Sequence, residues 1–225
     1  VAALRRLLEL EENRLSLVRL NGLGPISAGG LSYELETKRE VAAALNNLSL
    51  TDDLKEKIAA SAAVQTLVNL GQSTDLETAR QAVGAVANLA EDVGTHDYIA
   101  KNGGGRFMIG LMHHDSIDIH REASRAIANF LTRFESHALI VRDGLKGILH
   151  LALSPDSECQ FNAALCIRKL APNATSHAGI VYQGGLQSIF HLLKNRNRNI
   201  VRQAAYALRD ICANPKHKVK CMKEG

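Results

Sequence analysis

Tryptophan is absent from this 225-residue chain, and aromatic residues make up 4% of it. So few large rings, beside abundant Ala and Leu, argue against a β-sandwich or barrel and favour helices packed through small side chains. No apolar run approaches the roughly 18 residues of a membrane-crossing helix, and no signal-peptide pattern opens the chain. The four cysteines, Cys159, Cys166, Cys212 and Cys221, form no CxxC pair and no dense disulfide framework. That usage is expected of a reducing, cytoplasmic setting. The chain lacks an initiator Met. An excised fragment is therefore expected, in which nuclear targeting or membrane attachment would depend on regions outside it. No Ser/His/Asp or paired-carboxylate arrangement is apparent, so neither an active site nor a cofactor is expected.

What is present is material for a core. Apolar residues reach 46% and charged residues 22%, over a length that suits one large domain or two small ones. The net charge of +4 conceals a gradient. Residues 194–225 hold nine Lys/Arg against Asp210 and Glu224, a net +7, which leaves −3 for residues 1–193. A basic end suits an acidic partner or nucleic acid, though a solvated outer face is the simpler reading.

Self-similarity organises the chain. Five segments align without gaps, beginning at Arg39, Arg80, Arg121, Phe161 and Arg202, at intervals of 41, 41, 40 and 41 residues. Counting each first residue as zero, offset 2 holds Val41, Ala82, Ala123, Ala163 and Ala204, and offset 5 holds Ala44, Ala85, Ala126, Cys166 and Ala207. Offset 6 holds Leu45, Val86, Ile127, Ile167 and Leu208, and offset 9 holds Leu48, Leu89, Phe130, Leu170 and Ile211. Offsets 2, 5, 6 and 9 make the buried stripe of an amphipathic helix, with small residues where helices must approach closely. Seventeen residues before each start lie Gly22, Ala63, Gly104, Gly144 and Gly185. Gly there suits a sharp turn between helices that needs positive φ or close backbone approach. Each unit is therefore expected to hold a short helix, a turn, a second helix, a polar loop and a long spine helix.

Histidines keep the same period: His96, His137, His177 and His217, the first three following Thr95, Ser136 and Ser176. The hydroxyl residues suit helix N-caps. Imidazoles one repeat apart, on helices roughly 8–10 Å apart, are too distant to share a metal ion. The expected boundaries within one domain, 1–225, are repeats at 13–52, 53–93, 94–134, 135–174 and 175–214. The tail of a preceding spine is expected at 1–12, where Val1-Ala-Ala-Leu4 matches Ala42 to Leu45, and the start of a further repeat at 215–225. Gly24-Pro25 and Gly29-Gly30 are expected to weaken the second helix of the first repeat.

A 41-residue unit with three helices, a Gly before the second, and spines reading Ala43-Ala-Leu-Asn-Asn-Leu-Ser49, Gly84-Ala-Val-Ala-Asn-Leu-Ala90 and Arg125-Ala-Ile-Ala-Asn-Phe-Leu131 resembles the armadillo family. Tetratricopeptide and ankyrin units, at about 34 and 33 residues, do not fit the period. The resemblance implies an all-α, right-handed superhelical solenoid. Its concave groove would be lined by the spines, and an Asn near each spine's end would bond the backbone of an extended peptide. Asn47, Asn88 and Asn129 match that position; an amide offers both donor and acceptor to any peptide backbone. The alternative is an Asn that bonds neighbouring helix ends. Offsets 1, 4 and 8 share the groove face, which adds Glu40, Glu122, Arg125, Tyr206, Lys169 and Asp210. Lys169 and Asp210 interrupt the Asn ladder. Offset 4 lacks the Trp with which import adaptors hold lysines, so basic import signals are not the expected ligand. Arg125, Arg168, Lys169 and Arg209 instead suggest an acidic or phosphorylated partner.

Lys101-Asn-Gly-Gly-Gly105 lacks the Lys-Ser/Thr of a phosphate loop, and Gly22-Leu-Gly24 does not complete a dinucleotide fingerprint. His113, His114, Asp115 and His120 lie on a polar loop, where solvation is the simpler reading than a metal site. The expected function is a non-enzymatic, monomeric scaffold or adaptor that binds an extended, acidic or polar segment or helix of a protein partner. The alternatives are nucleic-acid or acidic-surface binding through the basic end, and a substrate-recruiting domain of a larger enzyme such as a ubiquitin ligase.

Overall fold

A computed structural model describes residues 2–224, with side chains from Leu4 onward. Val1 and Gly225, the outermost residues of the two expected terminal fragments, lie outside the described residues. The chain is all helical, with no strand among the described residues, and no helix there is long and apolar enough to cross a membrane. Two compact units divide at Met108.

The first unit contains α1 (Ala2–Leu7), α2 (Glu11–Arg19), α3 (Leu23–Gly29), α4 (Leu35–Ser49), α5 (Asp52–Ala59), α6 (Ala63–Leu70), α7 (Leu76–Leu89) and α8 (His96–Lys101). Helix α9 (Gly104–Leu111) follows. Spines α4 and α7 pack together, and their predicted stripes are buried: Ala44, Leu45, Leu48, Ala82, Ala85, Val86 and Leu89 are all closed to solvent. Each fully buried Leu or Val contributes about 1.5–3 kcal/mol over leaving it exposed. Helix α3 forms despite its glycines, with Pro25 in the first turn, where a missing N–H breaks no helical bond.

The second unit contains α10 (Ile117–Phe130), α11 (His137–Leu139), α12 (Leu145–Ala152), α13 (Ser157–Leu170), α14 (Ala174–Tyr182), α15 (Gly185–Leu193), α16 (Arg198–Cys212) and α17 (Pro215–Glu224). Spine α13 packs on α10 and on α16. Cys166 at the small offset lies 3.9 Å from the Ser124 carbonyl oxygen, a close helix approach that a larger side chain would prevent. Leu208 alone of the predicted stripe is half-buried.

The turn glycines divide two tasks that the sequence leaves merged. Positive φ falls on the preceding residue: Asn21 at 58°, Gly103 at 77° and Gly184 at 90°. The repeat glycine itself is needed for closeness, since a Cβ on Gly104 would sit 2.9 Å from the Ile99 carbonyl oxygen and one on Gly185 2.6 Å from that of Ile180. In the fourth repeat Asp143 holds the preceding position, and a π-helical stretch, Ile140–Gly144, makes the connection instead.

The Ser/Thr-His pairs do not form the expected N-caps. Thr95 Oγ1 donates to the Leu89 carbonyl (2.7 Å) and Ser136 Oγ to that of Phe130 (2.9 Å). Each following ring bonds the end of the preceding spine: His96 Nε2 to Ala90 O (2.8 Å), His137 Nε2 to Leu131 O (3.0 Å) and His177 Nε2 to Ala171 O (2.6 Å). Spine ends leave carbonyls without helical partners, and these buried rings satisfy them. Capping of the third-repeat and fifth-repeat turns falls to Asp92 and Asn173.

Candidate functional site

Two spine starts, those of α7 and α13, are fixed by acidic caps that an arginine of the preceding spine also grips. Asp75 accepts from Thr78 N (2.9 Å) at the start of α7 and from Arg39 (2.6 Å) on α4. Asp156 accepts from Cys159 N (2.9 Å) at the start of α13 and from Arg121 (2.6 Å) on α10. The arginine hydrogen bonds hold both carboxyls well below the usual carboxylate range, that of Asp156 at about 2. With the spines so held, the groove-face side chains take defined places.

In the first unit, Asn47 is half-buried and donates from Nδ2 to the Arg5 carbonyl at 3.3 Å. Asn88 is 7% exposed, and its Nδ2 donates to Asn46 Oδ1 (3.1 Å) and Ser49 Oγ (3.0 Å). Asn46 in turn donates to Gln81 Oε1 at 2.7 Å. Both amides thus join the preceding spine's end to their own, the orphan-carbonyl region of a helix. Glu40 is 7% exposed, with Oε2 buried and making no hydrogen bond.

In the second unit, Arg168, Lys169, Tyr206, Arg209 and Asp210 line one cleft of about 610 Å³. Both guanidiniums lie over the same ring, Arg168 at 5.5 Å and Arg209 at 5.2 Å from the Tyr206 centroid. Arg209 is fixed by Asp210 through Nε (2.8 Å) and Nη2 (2.7 Å), and Arg168 donates to Gln203 Oε1 at 3.0 Å. Lys169 Nζ donates to the Ala128 carbonyl (2.6 Å) and Thr132 Oγ1 (2.9 Å), and burial lowers its pKa. Its ammonium therefore bonds the preceding spine much as the Asn47 amide does. Glu122 and Arg125 pair at 2.8 Å on α10 but are not among the residues lining this cleft; Asn129 is half-buried on the same helix.

The remaining wall was not legible as a site: Leu131, Thr132, Phe134, His137 and Pro172. Phe134 is 62% exposed and stacks on His137 at 4.8 Å. An aromatic residue in an otherwise polar inter-repeat loop was the available signal. A second cleft of about 510 Å³ contains His113, His114, Asp115, His120 and His150. No group of three or more His, Cys, Asp or Glu among the described residues is placed to hold a metal ion. Burial lowers the pKa of His120, and the nearby imidazoles add to that shift.

No protein-family model matches the sequence, and no curated protein matches it. Similarity of structure is extensive. An engineered protein of the Northeast Structural Genomics Consortium is 27% identical and superposes with a TM-score of 0.87, over 94% of this chain and 88% of its own. A designed armadillo repeat protein in complex with the peptide (KR)4 is 22% identical, with a TM-score of 0.85 over 93% of this chain and 92% of its own. A computationally designed armadillo repeat protein for modular peptide recognition is 21% identical, with a TM-score of 0.88 over 92% and 90%.

Proposed function

We propose that this chain, an all-helical protein of armadillo-repeat-like fold, is a non-enzymatic scaffold that holds an extended, acidic segment of a protein partner against its spine helices. The observation that carries the proposal is the paired guanidinium array, Arg168 and Arg209 over Tyr206, lining an open cleft of the second unit. Guanidiniums held by an aromatic ring lose less freedom when they bind a carboxylate, and their planar fork donates to its two oxygens. One structural neighbour is seen with the basic peptide (KR)4. Here three cations against Asp210 give the cleft the opposite preference.

The amide ladder enters the same proposal. Asn129, half-buried on α10, is the member of the second unit through which peptide backbone would be gripped, and Asn47, half-buried on α4, offers the same to a segment on the first unit. An incoming strand exchanges an exposed amide–carbonyl bond such as Asn47 to Arg5 for one of similar strength, so little is lost on binding. Asn88 already directs Nδ2 to two internal acceptors and joins α7 to α4.

Selection from a random peptide-display library tests the reading. Enrichment of Asp/Glu-bearing segments that fail to bind an Arg168→Gln/Arg209→Gln variant of unchanged helicity is the expected result. Segments of no charge preference, bound equally by the variant, would remove the cleft from the binding surface.

A further inference from the structure

The walls of the Arg168–Tyr206–Arg209 cleft differ in character in a way that a merely acidic ligand does not use. Three cations, Arg168, Lys169 and Arg209, meet a single carboxylate, Asp210, leaving two positive charges unneutralised. One oxygen of Asp210, Oδ1, accepts from both Nε and Nη2 of Arg209, which positions the guanidinium. Lys169 Nζ spends two of its three hydrogens on Ala128 and Thr132. His137, 3% exposed, bonds Leu131 through Nε2 while its Nδ1 is buried without a hydrogen bond. The same cleft is also lined by Phe134 and Pro172, both without charge.

We infer that this cleft seats a phosphorylated side chain of the bound segment, with an apolar neighbour of that side chain on Phe134. The inference rests on the scaffold reading above and names its ligand. A carboxylate carries one charge and offers two oxygens in a plane. A phosphate monoester carries close to two charges near neutrality and presents three oxygens in a tetrahedral arrangement. Its charge matches the cleft's excess, and its three oxygens can accept from donors on α13 and α16 together, where a carboxylate has two oxygens to divide among them. Tyr206 holds the two guanidiniums together against their mutual repulsion through its ring face.

The test uses the 225-residue chain and fluorescein-labelled peptides of degenerate sequence, each with a central phosphotyrosine, phosphothreonine or phosphoserine, beside their unphosphorylated twins. Fluorescence anisotropy is expected to show at least one phosphorylated pool bound about tenfold or more tightly than its twin, the effect of one added charge-assisted contact. Arg168→Gln and Arg209→Gln should each remove about tenfold of that preference. Phe134→Ala should weaken binding of the phosphorylated pool and its twin alike. Equal binding of both twins, still lost in Arg168→Gln/Arg209→Gln, overturns the phosphate inference and leaves the scaffold reading standing. Binding of neither twin overturns both. Displacement of the phosphorylated pool by inorganic phosphate alone, at matching concentration, or by a single-stranded oligonucleotide would show a non-peptide anion site and overturn the inference too.

Discussion

Asp156 joins two repeats and starts a spine, so replacing it separates a cap from an ion pair. Asp156→Ala deletes the acceptor for Glu158 N and Cys159 N and the partner of Arg121. Loss of an N-cap costs about 0.5–2 kcal/mol. Arg121 lies at the surface, where screening leaves little to add to that sum. Asp156→Asn keeps an oxygen for the helix start and loses the charge, so it should cost up to about 1 kcal/mol at neutral pH, the upper end for a solvent-screened ion pair. Acid resolves the two further. The folded carboxyl titrates at about 2, below its unfolded value near 3.9. Its stabilisation is thus complete above about pH 4 and is lost as pH falls toward 2. Urea unfolding followed by circular dichroism, at neutral pH and near pH 3, should therefore show the wild-type advantage over Asp156→Asn shrinking with acid. Equal destabilisation by Ala and Asn at neutral pH would refute the capping argument, and an unchanged Asn gap in acid would refute the charge argument.

Gly104→Ala places a methyl against Ile99 and its carbonyl oxygen and should cost about 1–3 kcal/mol by overpacking, measured as a shift in the urea midpoint. His177→Ala leaves the Ala171 carbonyl without its partner in a buried site and should cost about 1–3 kcal/mol, with hydrogen exchange rising first at the end of α13. Among the cysteines, burial pushes the thiols of Cys159 and Cys166 up to about 12, so both should resist a disulfide-exchange reagent in the folded chain while half-buried Cys212 reacts. Rapid labelling of Cys166 in native conditions would contradict the close packing of α10 and α13.

The spines were legible because one periodicity repeats five times: Ala85, Val86 and Leu89 follow the same rule as Ala126, Ile127 and Phe130. Leu208 departs from it without any local signal, because its burial depends on neighbours beyond its own helix. The Ser/Thr-His pairs were visible as a repeat, but their chemistry was not. A hydroxyl before a helix suits a cap, and only the folded turn shows it donating backwards to a spine carbonyl. Arg39 and Arg121 were aligned as spine starts; their partners, Asp75 and Asp156, lie one repeat away and emerge only when spines stack. Within the candidate site, Lys169, Tyr206 and Asp210 were found through helix offsets 4 and 8, and Arg168 and Arg209 as basic residues beside them. Phe134 and Pro172 come from connecting segments whose residues do not recur from repeat to repeat; His137 was visible as part of a period, but its place in this cleft was not.

Charge reversal in the cleft tests the central claim most directly. Arg168 and Arg209 are both exposed, so the variant Arg168→Glu/Arg209→Glu buries no new charge and inverts the field around Tyr206. Binding of an Asp/Glu-bearing and a Lys/Arg-bearing peptide, matched otherwise, would be measured by anisotropy on wild type and variant at one ionic strength. The account predicts that the preference exchanges, with the acidic peptide favoured by the wild type and the basic peptide by the variant. An acidic preference that survives the reversal would place binding elsewhere on the chain and contradict the account.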